Sequence, residues 1–185
     1  MRQMTKMIVL GAMLTALSGT HSAEIRKDYA VQPVAFTEVK FNDLTDLEQP
    51  VSYTYKGRVP DLLTDEGGGI ASFKMLLAPQ DLAKEYAPLA EREHDVVIPF
   101  PWTITKTMRY VLPDGATVDD LPDPLELETK HIDASITSTA AAGEVVVEST
   151  VTLKSTRIPV DEYSAFREAC RTIDEKQSER IRISR

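Results

Sequence analysis

The side chains with the most chemical potential are one cysteine, three histidines and a run of acids, and their spacing limits each of them. To act as a nucleophile, Cys170 would need His94 or His131 as a base, in an electropositive and partly open setting such as a helix N-terminus. It falls instead about ten residues into a helical pattern, on the apolar stripe, which predicts a small packed hydrophobe. A lone cysteine also excludes an internal disulfide, a zinc ribbon and any cluster held by several thiolates. His21, His94 and His131 lack ligand spacing, and His131, beside a strand, reads as a surface or hydrogen-bonded residue. Asp114, Asp119, Asp120 and Asp123 share a turn-rich stretch and could grip calcium. They lack the alternating Asp/Asn ligands, central Gly and distal Glu of a hand-type loop, so solvated turn acids are expected.

Asp65-Glu-Gly-Gly-Gly69 could cradle a phosphate only with a Gly-Lys-Ser/Thr and a helix behind it. Ile70–Leu77 reads as a strand, so the glycines predict a hairpin loop from the preceding strand. No carboxylate pair is nominated for acid–base work. The expectation is therefore no catalytic, cofactor-binding or metal-ligating residue, and no cofactor.

The elements that would hold these residues are mostly strands. Trp102–Leu112 alternates, with Trp102, Ile104, Met108, Tyr110 and Leu112 on one face, broken by Lys106, and Thr103, Thr105, Thr107 and Arg109 on the other. Trp102 and Tyr110 are assigned to the core. Val34–Phe41 changes face near Thr37-Glu38, which predicts a bulge, and Val51–Val59 places Val51, Tyr53 and Tyr55 together. Short strands are expected at Asp95–Ile98, Leu125–Thr129 and His131–Thr137. Ala140–Gly143 turns the chain into a strand carrying Val145, Val147, Val151 and Leu153.

Pro88 restricts the helix-forming stretch 80–92 to a short or broken helix. A longer helix is predicted from about Val160 to about Lys176, with Pro159 before it and Asp161 and Glu162 in its first turn. Its Tyr163, Phe166, Cys170 and Ile173 form one stripe, and Ile181–Ser184 could add an edge strand. The fold class is mainly β (α+β): an antiparallel β-sandwich with a C-terminal amphipathic helix packed on it.

Size and charge bound the role. A chain of 185 residues supports one core, and a net charge of −8 repels phosphate backbones and anionic headgroups. Nucleic acid is not an expected partner, and no segment has the length of an integral membrane span. Arg2 and Lys6 precede an apolar run, Met7–Leu17, and the small residues Ser18–Ala23 follow. That is the layout of a secretory signal over residues 1–23, with a buried strand or helix of the fold, or a truncated upstream segment, as alternatives. Residues 24–185 are read as a single domain.

Several phrases recur in order along the chain. They are Phe41-Asn-Asp-Leu-Thr-Asp-Leu-Glu-Gln-Pro50, Tyr86-Ala-Pro-Leu89 with Arg92, Pro101-Trp102, Leu112-Pro-Asp-Gly115 and Leu121-Pro-Asp-Pro124. Arg157-Ile-Pro, Glu162-Tyr-Ser-Ala-Phe-Arg167 and Ile173-Asp174 complete the set. From about Val39 onward the chain thereby resembles the C-terminal β-sandwich domain, of unknown function, of exported bacterial proteins with a transglutaminase-like core. Gly19, Ala23, Arg26 and Tyr29 are similar to the segment just upstream of that sandwich.

The resemblance implies a non-catalytic accessory domain. The family's Cys-His-Asp machinery lies upstream, and no residue here takes its place. The implied partner is a transglutaminase-like core or another envelope protein, and the implied location is periplasmic or secreted. The alternative is a self-standing secreted binding or adhesion module.

Overall fold

Strict alternation builds the largest sheet. The structure, a computed structural model, describes residues 8–12, 35–42, 45, 50–59, 62–141 and 143–184, with the backbone alone for 8–12, 35 and 36. In chain order the strands are β1 (Ile8–Ala12), β2 (Ala35–Phe41), β3 (Tyr53–Arg58), β4 (Thr64–Gly67), β5 (Ile70–Lys74) and β6 (Val96–Val97). They continue as β7 (Trp102–Val111), β8 (Thr117–Asp120), β9 (Leu125–Glu128), β10 (Ile132–Ala141), β11 (Glu144–Leu153), β12 (Arg157–Ile158) and β13 (Arg180–Ser184). Helix α1 spans Leu82–Tyr86, and a 3-10 turn, Val160–Glu162, leads into α2, Tyr163–Gln177.

A seven-stranded sheet runs in the order β2-β3-β1-β7-β11-β10-β9, and every pairing given for it is antiparallel. β7 and β11 pair from Trp102↔Leu153 to Val111↔Glu144. That register puts Met108 and Tyr110 on the same buried face as Val145, Val147, Val151 and Leu153. The opposite face carries hydroxyl ladders, with Thr103 against Thr152 at 3.0 Å and Thr105 against Thr150 at 3.1 Å. Threonine suits this position because its β-branch fits the pleat while its hydroxyl finds a cross-strand partner.

The second layer combines a four-stranded sheet, β4-β5-β13-β8, with α2. Phe73 from β5 meets Tyr110 at 4.9 Å between ring centroids, and the Tyr110 hydroxyl donates to the Met75 carbonyl at 2.9 Å. Tyr163, Phe166, Cys170 and Ile173 are all buried, as the helical spacing predicts, and one apolar cluster joins both layers. The fold is thus mostly β with antiparallel sheets and one long C-terminal helix, the β-rich α+β class expected. A two-stranded ribbon, β6-β12, stands apart at the start of α2.

Some local expectations are corrected. The triple glycine does not join the Tyr53–Arg58 strand to β5, because those strands lie in different sheets. The hairpin is β4–β5, so part of the expected loop, Thr64–Gly67, is itself strand. Its tightness follows from Gly67, Gly68 and Gly69 at φ of 85°, 63° and 82°. Asp119 and Asp120, expected as turn acids, lie on the strand Thr117–Asp120, which pairs with β13, so that β13 is an inner strand and not an edge. The bulge falls where expected, between Phe36 and Glu38. Of the signal-like residues 1–23, only Ile8–Ala12 is described, as a strand between β3 and β7. The others lie outside the described residues.

Candidate functional site

Cys170 is sealed in the core. Burial, with the nearby Asp174 carboxylate adding to it, pushes its thiol up to about 12, so the thiolate is absent at neutral pH. His94 is exposed on the loop before β6. Trp102 is half-buried and donates its indole N–H to the Tyr86 hydroxyl at 3.2 Å, while Tyr110 is core.

The acids divide. Asp119 accepts the Ser184 hydroxyl at 2.7 Å across β8 and β13, and Asp114, Asp120 and Asp123 are exposed. Among the described residues no group of three or more His, Cys, Asp or Glu side chains could hold a metal ion.

One constellation went unseen in the sequence. His131, buried in the turn before β10, places Nε2 2.5 Å from Glu162 Oε2 and Nδ1 2.8 Å from the Ser155 hydroxyl. Its ring also meets Phe166 edge-on at 6.2 Å. The Lys130 ammonium takes the other Glu162 oxygen at 2.5 Å. Lys130 and His131 hydrogen-bond the ionised carboxylate, Lys130 first, and hold it below the usual carboxylate range.

A carboxylate can only accept, so the proton sits on Nε2, and in the neutral ring Nδ1 accepts from Ser155. The connectivity is that of a serine–histidine–acid relay, but its setting is not. The serine bonds Nδ1 and the acid bonds Nε2, the reverse of the working arrangement. The depressions on the outer sheet face and beside β2–β3 are lined by none of the three residues. The relay pins the β11–β12 connection, the start of β10 and the 3-10 turn before α2 to one another.

A second polar cluster anchors α1. Asp174, on α2, accepts the backbone N–H of Leu82 at 2.7 Å and of Ala83 at 2.8 Å, capping a helix that follows Asp81 at φ 52°. Burial raises the Asp174 pKa, and the two backbone bonds oppose that rise. Gln177, fully buried, accepts the Gln80 N–H and donates to Gln80 Oε1 and Ser149. Lys106 is likewise turned inward and donates to the Ala78 carbonyl at 2.7 Å. It breaks the apolar series of β7 because the chain after β5 presents a buried carbonyl there.

Two surfaces remain. On the outer sheet face, Glu126, Glu128, Asp133, Ser135, Thr150 and Thr152 line an open depression of about 460 Å³. Around the β6–β12 ribbon, Val97 is 76% exposed, Leu89 54%, Phe100 49% and Val160 40%. Val160 follows β12 and donates its N–H to Asp95, and the Leu89 carbonyl receives the Tyr163 hydroxyl at 2.6 Å, so the segments carrying Leu89, Val97 and Val160 are tied together around the ribbon, with Phe100 three residues after Val97.

Fold and surfaces together define a two-layer β-rich domain whose buried reactive side chains, Cys170 and His131, are engaged in packing and internal bonds. The chain belongs to the DUF3858 family, described as a domain of unknown function with a solved structure, whose family model matches residues 70–183, more than half of the chain. No curated protein and no solved structure matches it. No helix among the described residues is long and apolar enough to cross a membrane.

Proposed function

We propose that the chain is a non-catalytic accessory domain, packing on or acting beside a transglutaminase-like, papain-like protein of the bacterial envelope. The observation that carries this reading is the apolar cluster Leu89, Val97, Phe100 and Val160 around the β6–β12 ribbon. Exposed apolar side chains gathered in one place, rimmed by charged groups such as the Asp95–Arg157 pair, suit a surface that a partner covers. The ordered phrases from Phe41 to Asp174 support the choice of partner, and the signal-like layout of residues 1–23 supports a periplasmic or secreted location. The sealed Cys170 and the reversed Ser155–His131–Glu162 relay argue against a reaction centre.

A second reading, a self-standing binding or adhesion module, draws on the hydroxyl- and carboxylate-lined depression of the outer sheet face. Gel filtration separates the two. The purified chain is expected to co-elute with a transglutaminase-like core encoded in an adjacent reading frame. Separate elution at tens of micromolar contradicts the accessory role and leaves the self-standing module.

A further inference from the structure

β1 is an unusual strand. It lies inside the seven-stranded sheet, yet no hairpin ties it to either neighbour, since the segment 13–34 separates it from β2 and the chain reaches β3 and β7 later still. Its residues, Ile-Val-Leu-Gly-Ala, are all small or apolar. It runs antiparallel to β3, with a register shift between Leu10 and Ala12. Against β7 the described register pairs are Val9↔Tyr110 and Leu10↔Arg109, whereas β7 pairs with β11 along its whole length. Gly11 weakens it further, because glycine in a strand costs backbone entropy and brings no side chain to pack.

These same residues are the apolar middle of the signal-like segment, so a strand that completes the sheet lies within a stretch that export would remove. Its departure would divide the sheet between β3 and β7 and bare two facing strand edges, which proteins cover.

We infer that the position between β3 and β7 is a strand-acceptor slot, filled in the assembled protein by an extended apolar segment of the partner. This rests on the reading of residues 1–23 as an export leader. Ile8–Ala12 shows what the slot takes: a short apolar strand delivered from a remote part of the sequence and antiparallel to both walls. Main-chain bonds to the two edges supply affinity, and alternate side chains supply specificity, as in other strand-addition complexes.

The register supplies the test. In the full chain carrying Arg109→Cys, a Lys-flanked peptide of the Ile8–Ala12 sequence with Leu10→Cys is added in excess under mild oxidation. Control chains carry Ser135→Cys, on β10, a position paired with both Glu126 of β9 and Thr150 of β11. Cys170, being sealed, does not compete. Disulfide capture at the Arg109→Cys thiol at least about tenfold above the Ser135→Cys thiol is expected. Adding Gly11→Pro, which removes a ladder N–H from the resident strand, should raise capture further.

Equal or absent capture at both positions, with circular dichroism showing a folded chain, overturns the slot. If Gly11→Pro unfolds the chain, the comparison in the parent background stands alone. The intact mass of the protein recovered from the envelope reports on the leader independently. A retained leader overturns the export reading and the slot together, because Ile8–Ala12 then fills the position itself, whereas a removed leader without capture overturns the slot alone.

Discussion

His131 and Glu162 show how a reactive-looking group becomes a fastener. The ring is buried and bonded at both nitrogens, and Lys130 shares the acid, so the residues lock three chain segments together. Lys130 and His131 keep the Glu162 carboxyl below its usual range, so its stabilising contribution is complete above the unfolded value of about 4.3 and is lost as the pH falls through the lower folded value. The urea midpoint of the parent chain should exceed that of Glu162→Gln at neutral pH, and the gap should close in acid. Cys170 makes a sharper case. With its thiol pushed up to about 12, it should resist iodoacetamide in the folded chain and react fully in guanidinium. The sequence disclosed this residue well, since position on an apolar helical stripe decides burial. It did not disclose the relay, because His131, Ser155 and Glu162 are neighbours only after β10, β11 and the 3-10 turn before α2 have come together.

At the scale of elements, α2 organises the second layer. Phe166 packs in the core and meets His131, and Asp174 and Gln177 hold the segment around α1. Phe166→Ala should cost about 3–5 kcal/mol in a denaturant titration, the usual loss for a large aromatic removed from a close-packed site. Asp174→Ala should cost about 1–2 kcal/mol by stranding two backbone donors of α1, and Asp174→Asn less, because its amide oxygen still accepts. Strands with clean alternation, such as β7 and β11, were legible because period and burial coincide there. β8 was not, since Thr117-Val-Asp-Asp120 carries one apolar residue among acids and becomes strand only through its pairing with β13. Arg180–Ser184 was legible as a strand but not as an inner one, because a sheet's order depends on contacts distant in sequence.

For the whole molecule, the decisive contrast is between an interior whose polar atoms are mostly bonded, Gln80 Nε2 and Arg167 Nε excepted, and an unfinished surface. Buried polar groups such as Lys106, Gln177 and His131 have named partners, whereas Val97, Leu89, Phe100 and Val160 meet solvent around the ribbon. Sequence alone could not find that surface, because Leu89, Val97, Phe100 and Val160 are scattered along the chain and no periodicity in it separates them from buried apolar residues. The proposed accessory role puts the partner's contact there. The most direct measurement is a calorimetric titration of an envelope transglutaminase-like core with the parent chain and with Val97→Asp, two proteins of matched urea midpoint. The account predicts saturable binding by the parent chain and at least about tenfold weaker binding by Val97→Asp. Equal affinity of the two, or no heat of binding from either, would contradict it.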